Sequence, residues 1–305
     1  MSADRDAIAT AALAVDSRCQ LGEGIVWDDR AQRLYWTDIL SSRLWMHAPA
    51  ANATHSWDLP EPLGCLALCD DGGLLLALAK SIRIAQAPRA GEPLALRTLA
   101  ALEPEHGRDT RSNDGRCDRH GNFVFGTKDE TGATPPLGSV YQFSHAHGLR
   151  RLALPAVAIP NSICFSPDGR TLYWCDSAQP RIHRCDYDSD AARVSAARVF
   201  AEVGGGKSPD GSTVDAEGFV WNAQWDGGRA VRYAPDGRMD RFVAIPAGMP
   251  SCCTIGGAGF DTLYVTTARE EMDADALARA PTAGGVFALP LAAGSGRPEP
   301  RFRTS

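Results

Sequence analysis

The 305-residue sequence contains no run approaching the ~18 apolar residues that a membrane-spanning helix needs. It also contains no block of like charge, although 31 basic and 37 acidic residues give a formal net charge of -6. Basic patches indicate nucleic-acid binding, and polybasic segments indicate anionic membranes. The sequence therefore argues against both partners and leaves a small molecule as the expected ligand.

Nine cysteines are present, but no two of them have the CxxC spacing of a soft-metal or redox site. Several lie in apolar, strand-like stretches, so we expect buried, reduced thiols rather than a disulfide framework. Asp4 and Asp6 occupy the stretch where a secretory signal needs basic charge. We therefore expect a cytoplasmic protein.

Six segments share one pattern, a short strand followed by an Asp/Gly turn and a second strand rich in aromatic and branched apolar residues. This pattern is typical of an antiparallel hairpin. The second strands recur roughly every 40 to 50 residues, which is the repeat length of propeller blades. Further strand-like pieces between the hairpins would complete four-stranded sheets. The sequence thus predicts an all-β, single-domain six-bladed β-propeller. The segments are IVWDDRAQRLYWTDI (25–39), CLALCDDGGLLLAL (65–78), DGRCDRHGNFVFGT (114–127), SICFSPDGRTLYWCD (162–176), GSTVDAEGFVWNAQW (211–225) and CTIGGAGFDTLYVTTA (253–268).

The two ends of the chain receive separate predictions. Residues 1–10 and 295–305 are expected to pack loosely on the single domain 1–305, judged from their composition. A strand near Ala12 to Asp16 should pair with the strand at Val286 to Leu289 and so close the ring of blades. Asp273 is expected to cap a short helix that ends before Pro281.

One residue in each repeat has the same position ahead of its turn, and these six are Glu23, Gly64, Asn113, Asn161, Asp210 and Cys252. In a propeller, residues at the beginning of the innermost strands meet at one mouth of the central channel. Four of the six carry oxygen, which predicts a cation site there. The alternative is that Asn and Asp are favoured at these positions only as turn formers. Glu23 argues against it, because glutamate is a poor turn former and here lies between two glycines.

Two carboxylates with one amide oxygen, from Glu23, Asn161 and Asp210, suit a single divalent ion. Ca, Zn, Mg, Mn and Fe(II) all accept such ligands. Cys252 and Cys253 are interpreted as small buried residues because their spacing does not fit a thiolate site.

Several segments resemble the SMP-30/gluconolactonase/regucalcin family of sugar lactonases, over nearly the whole chain and in the expected order. They include LGEGIVW, RSNDGRCDRHGNFVFGT, PNSICFSPDGRTLYWCDS and SPDGSTVDAEGFVWNAQWDGGRAVRY. The resemblance implies a six-bladed propeller with metal ligands at Glu23, Asn161 and Asp210. It also implies substrate contacts, which are Arg111, Asn113 and Glu130. One departure is Ser162, where the family commonly has glycine, and this serine is expected to tighten the backbone or to add a hydroxyl behind the ligands.

The resulting hypothesis is metal-dependent hydrolysis of a sugar lactone. The metal would polarise the carbonyl, and Asp210 or a metal-bound hydroxide would act as base or nucleophile. Arg111, Asn113 and Glu130 suit the hydroxyls of a sugar, and Trp225 could form a wall of the pocket. Two alternatives remain, a non-catalytic calcium-binding propeller and a related metal-dependent esterase.

Overall fold

The computed structural model describes residues 9–305, which form six four-stranded antiparallel sheets. The strands are β1 (Ala12–Val15), β2 (Gly22–Asp28), β3 (Arg33–Asp38), β4 (Arg43–Ala48), β5 (Ala53–Asp58), β6 (Leu63–Leu68), β7 (Leu74–Leu78), β8 (Ser81–Ala85), β9 (Leu96–Ala101), β10 (Thr110–Cys117), β11 (Phe123–Asp129), β12 (Val140–Ser144), β13 (Gly148–Arg151), β14 (Pro160–Phe165), β15 (Thr171–Asp176), β16 (Arg181–Asp188), β17 (Arg193–Glu202), β18 (Ser208–Val214), β19 (Val220–Trp225), β20 (Arg229–Tyr233), β21 (Met239–Ala244), β22 (Pro250–Gly256), β23 (Thr262–Thr267) and β24 (Val286–Pro290).

Each sheet is one blade of a six-bladed propeller, as predicted. Blades 1 to 5 use consecutive strands, from β2–β5 to β18–β21, whereas blade 6 has the order β22, β23, β24, β1. The predicted closure of the ring is confirmed, since β1 pairs antiparallel with β24 and Ala12 lies opposite Ala288.

Asp/Gly turns connect the first two strands of a blade. In blade 4, Gly169 has a φ of 73° and its N–H donates to the carbonyl oxygen of Ser166 at 2.9 Å. The Asp168 carboxylate accepts from the N–H of Arg170 at 3.1 Å. Glycine supplies the left-handed conformation and aspartate satisfies the free backbone donor, so the local sequence specifies this hairpin.

The apolar core lies between neighbouring blades. Val26 and Tyr35 of blade 1 pack with Leu66 and Leu76 of blade 2 in one buried cluster. Trp27 of blade 1 stacks on Tyr264 of blade 6, with 6.2 Å between ring centroids. Because each blade buries its faces against two neighbours, the ring is held together all around the channel.

The described helices are short. The predicted cap is confirmed, because α1 (Ala274–Arg279) begins after Asp273, whose side chain accepts from the N–H of Ala276. Two 3-10 turns cover Pro49–Ala51 and Pro104–His106. Within residues 9–305, no helix has the length and apolar character needed to cross a membrane.

The prediction of a loosely packed segment at 295–305 is wrong. Phe302 is 1% exposed and stacks on Phe143 at 5.7 Å, and its N–H donates to the carbonyl oxygen of Leu68. Arg301 forms ion pairs with Asp28 and Asp29 at 2.6 and 2.8 Å. The buried ring of Phe302 and the guanidinium of Arg301 thus attach this segment to the blades.

At the other end, residues 1–8 lie outside the described part of the chain. Residues 9 and 10 lie alongside the end of β21. The N–H of Ala244 donates to the carbonyl oxygen of Ala9 at 2.9 Å, and Thr10 forms a parallel bridge with Ala244. These two residues are therefore hydrogen-bonded to blade 5, contrary to the expectation of loose packing.

The nine cysteines are all free and buried, as predicted. Burial raises the pKa of the thiols, for example that of Cys19 and that of Cys253, each to about 12. These groups therefore have the small, apolar role predicted for them.

Candidate metal centre and active site

The six predicted ring positions all lie on the innermost strands of the blades, one in each of β2, β6, β10, β14, β18 and β22. The pairing of every innermost strand with its neighbour is irregular at this level, as between Asn161 and Cys164 or between Pro209 and Ser212. Such bulges change the direction in which side chains leave a strand. Gly64 contributes no side chain, because a Cβ there would lie 2.5 Å from the backbone of Ser112.

Gly24 and Ser162 share a special conformation immediately after two predicted ligands, Glu23 and Asn161. Their φ angles are 57° and 59°, in the left-handed region. Glycine adopts this conformation freely, whereas serine does so at a cost. The backbone after Asn161 in blade 4 thus has the same conformation as the backbone after Glu23 in blade 1, but it carries the side chain of Ser162 where blade 1 has a glycine.

Glu23 and Asp210 are both buried and line the same pocket. Burial and the neighbouring Asp114 raise the pKa of Glu23 to about 8. Burial and the charge of Glu23 raise the pKa of Asp210 well above its usual range. Burial also raises the pKa of Asp114 to about 6. Three buried carboxyl groups therefore make this end of the channel strongly favourable for a cation.

Asn161 is held by hydrogen bonds on both atoms of its amide. Its Oδ1 accepts from Nδ2 of Asn113 at 3.1 Å, and its Nδ2 donates to Oγ of Ser177 at 2.9 Å. Asn113 in turn accepts from Nη1 of Arg111 at 2.8 Å. The predicted substrate contacts and the predicted ligand Asn161 thus belong to one chain of hydrogen bonds.

These side chains line a pocket of about 420 Å³ at the mouth of the channel. Glu23, Asn161, Asp210, Arg111 and Asn113 all contribute to it. Trp225 lies in the wall, at the place that the sequence suggested. A monosaccharide fits such a volume, which lies within the usual range for small-molecule sites.

Glu130 has a different position. Its Oε1 lies 2.8 Å from Nε of Arg111, but its side chain is 38% exposed and lines an adjacent cleft of about 610 Å³ rather than the pocket. Arg111 separates the two spaces and lines both. The structure therefore brings Glu130 to Arg111 and not to the ligand set.

The pocket also contains residues that were not predicted, among them Lys128, Ser177 and Glu270. Lys128 precedes Glu130 by two residues, so strand alternation could have placed it beside that residue. Glu270 follows β23 in a loop, and burial raises the pKa of its carboxyl group. Ser177 ends the segment PNSICFSPDGRTLYWCDS, but neither Ser177 nor Glu270 occupies the ring position that the repeat defines.

The donor set fits a hard divalent cation. Oδ1 of Asp210 is buried and has no hydrogen-bond partner among residues 9–305. A buried carboxylate oxygen without a partner is costly unless a cation balances it. No group of three or more His, Cys, Asp or Glu side chains in the described part of the chain is arranged for a metal. The predicted set differs because one of its three donors is the Asn161 amide.

Comparison with known proteins identifies the family of the chain. The model of the family described as SMP-30/Gluconolactonase/LRE-like region matches residues 21–269. The chain belongs to this family. Among curated relatives of this SMP-30/gluconolactonase-like protein, an L-arabinolactonase from Azospirillum brasilense is 47% identical over 91% of this chain and 90% of the relative. A 6-deoxy-6-sulfogluconolactonase from Pseudomonas putida is 37% identical over 88% of this chain and 90% of its own.

A solved structure shares the fold of the family member described here. It is a calcium-binding protein, regucalcin, from Agrobacterium tumefaciens, with a TM-score of 0.89 and 31% identity. The alignment covers 98% of this chain and 100% of that one. The fold is therefore shared over nearly the whole of both chains.

Proposed function

We propose that the protein is a metal-dependent lactonase that hydrolyses a sugar lactone, an aldono-γ- or δ-lactone, to the aldonic acid. One observation carries the proposal: Glu23, Asn161 and Asp210 converge in a single pocket that Arg111 and Asn113 also line. The names of the relatives at 47% and 37% identity, both lactonases, support it.

Glu23, Asn161 and Asp210 would hold one divalent ion, which is Ca, Zn, Mg, Mn or Fe(II). The bound ion supplies positive charge that polarises the lactone carbonyl and stabilises the oxyanion of the tetrahedral intermediate. Two carboxylates and one amide leave coordination positions free for other ligands.

Asp210 is assigned the proton transfer. Its carboxyl group lines the pocket, so in this proposal it accepts a proton from a water molecule that adds to the carbonyl carbon. Collapse of the intermediate breaks the bond between the carbonyl carbon and the ring oxygen. The proton then passes to that ring oxygen, and the products are a free hydroxyl and a carboxylic acid.

Arg111 and Asn113 are assigned the sugar hydroxyls. Arg111 is fixed by Glu130 and by the carbonyl oxygen of Ser112, to which its Nη1 donates at 2.9 Å. A guanidinium held in this way presents donors in a defined plane to vicinal hydroxyls. In this proposal Glu130 contributes to substrate binding through Arg111, because it lies on the far side of that residue.

The test is acid release from a panel of pentono- and hexonolactones, beginning with L-arabinonolactone. Metal-stripped protein receives Ca, Mg, Mn, Zn or Fe(II) in separate reactions. We expect at least one lactone to open far above its spontaneous rate with one of these metals. Hydrolysis of none of them would overturn the proposal.

A second candidate is a calcium-binding propeller without catalysis, which the 31% identity to a calcium-binding regucalcin favours. It predicts calcium binding in calorimetry together with spontaneous rates for every lactone. Hydrolysis of an acyclic ester but of no lactone would instead indicate a related metal-dependent esterase.

A further inference from the structure

Two serine hydroxyls connect the strands that carry Asn161 and Asp210. Oγ of Ser162 donates to the carbonyl oxygen of Asp210 at 2.7 Å, and Oγ of Ser177 donates to the carbonyl oxygen of Pro209 at 2.6 Å. The two acceptors are consecutive residues of β18, whereas the two donors lie in or just after strands of blade 4. The backbone on which Asp210 sits is therefore tied to blade 4 at two adjacent points.

Ser177 also determines how the Asn161 amide is turned. Its only proton is used on Pro209, so its oxygen can act toward Asn161 solely as an acceptor. The amide must then present its NH₂ to Ser177, and its Oδ1 faces Asn113 and the pocket. A single hydroxyl thus selects the end of the amide that can bind a cation.

Ser162 has an unfavourable backbone conformation, and its hydroxyl takes part in three hydrogen bonds. It is fully buried with a φ of 59°. Besides donating to Asp210, its Oγ accepts from Oγ of Ser212 and from Nδ2 of Asn222, each at 3.0 Å. Nδ2 of Asn222 also donates to the same Asp210 carbonyl at 2.8 Å. Glycine would adopt this backbone conformation at a lower cost, so we infer that the serine is present for the hydrogen bonds of its side chain.

We propose that Ser162 and Ser177 are positioning residues that set the spacing and orientation of Asn161 and Asp210, and thereby the affinity of the pocket for a divalent cation. This inference rests on the proposed function, because it requires those two residues to be ligands. Groups that orient metal ligands commonly change metal affinity about 10- to 100-fold when removed.

The test measures the dissociation constant of Ca²⁺ and of Mn²⁺ by titration calorimetry on metal-stripped protein without any lactone. Ser162→Gly removes the hydroxyl and relieves the backbone, whereas Ser162→Ala removes the hydroxyl and keeps the left-handed residue. Ser177→Ala removes the second hydroxyl, and Ser177→Thr keeps it. Ser144→Ala is the matched control, since this buried serine lies in β12 of blade 3 and its Oγ accepts from the N–H of His147.

We expect Ser162→Gly, Ser162→Ala and Ser177→Ala each to raise the dissociation constant about 10-fold or more. Ser177→Thr and Ser144→Ala should remain within about 2-fold of the unaltered protein, since both leave the proposed contacts in place. If Ser162→Ala does not fold, Ser162→Gly decides, because glycine suits the backbone at that position.

The outcomes separate the two proposals. Metal affinities unchanged in the glycine and alanine variants, with clear binding by the unaltered protein, would overturn the role of the serines and leave the proposed function standing. If Ser177→Thr lowers metal affinity as much as Ser177→Ala does, the proposed role of the Ser177 hydroxyl is overturned. If the unaltered protein binds neither ion, nor Zn²⁺, Mg²⁺ or Fe²⁺, both proposals fail.

Discussion

Arg116 on the innermost strand β10 and Glu299 in the C-terminal segment form an ion pair of 2.8 Å across 183 residues of sequence. Both side chains are nearly buried, with exposures of 8% and 12%. Breaking such a pair on one side leaves a buried charge without compensation. The pair therefore fixes the C-terminal segment across the channel, at the end opposite to the pocket.

The contribution of this segment to stability can be measured with Phe302→Ala. Its ring is buried between blades 2 and 3 against Phe143, so we expect a loss of about 3 kcal/mol in the free energy of unfolding. Urea denaturation followed by tryptophan fluorescence gives the value. Val199→Ala, at a residue that is 42% exposed, is the control and should change stability by less than about 0.5 kcal/mol.

Asp210→Ala should reduce kcat for lactone hydrolysis by about 100-fold or more, because it removes both the proposed proton acceptor and a ligand. The variant should still fold, because it removes one of two adjacent buried carboxyl groups and with it the unfavourable burial of a second negative charge. Acid release measures kcat, and the thermal midpoint of the metal-stripped variant shows whether it is folded. Unchanged turnover would contradict the assigned mechanism.

Chelation should abolish hydrolysis, and addition of the effective metal should restore it. The same metal should stabilise the fold by about 2.7 kcal/mol at 100 times its dissociation constant, because it binds only the folded state. Thermal unfolding with chelator and with metal measures this shift. Glu23→Gln serves as the control, and its shift should be much smaller at the same metal concentration.

Arg111→Lys should raise KM for the lactone about 10-fold, since an ammonium cannot reproduce the planar contacts of a guanidinium. Metal affinity should change less than KM, because Arg111 is connected to the proposed ligand Asn161 through Asn113. Steady-state kinetics and calorimetry give the two values. Glu130→Gln should produce a smaller rise in KM, and a larger rise would place Glu130 in direct contact with substrate.

The nine thiols should react with a disulfide reagent only after denaturation, because all of them are buried. Absorbance of the released thiolate counts them in native and in denaturing buffer. Rapid reaction of any cysteine in native buffer would show that the corresponding blade opens locally.

Much of the fold could be predicted from sequence because each blade repeats a local pattern. Turn chemistry such as that of Asp168 and Gly169 specifies a hairpin without help from distant residues. The ring positions could be predicted for the same reason, since residues equivalent in a repeat are equivalent in space. The family resemblance led to the same ligand set.

The remaining features depend on contacts between distant segments. Ser177 and Glu270 follow the second strands of their blades and do not occupy the repeated ring position, so the repeat does not identify them as pocket residues. The packing of Phe302 depends on a groove between two blades, which composition cannot reveal. For Ser162, the sequence indicated a hydroxyl near the ligands, but its acceptor, the carbonyl oxygen of Asp210, lies 48 residues away.

The pairing of β1 with β24 has a consequence for synthesis on the ribosome. Residues 12–15 are synthesised before the other 23 strands, and their partner strand at residues 286–290 is synthesised after them. The N-terminal strand must therefore remain unpaired while five blades assemble. Ring closure is then a late step, and a nascent chain that stops before β24 has an exposed sheet edge for chaperones to cover.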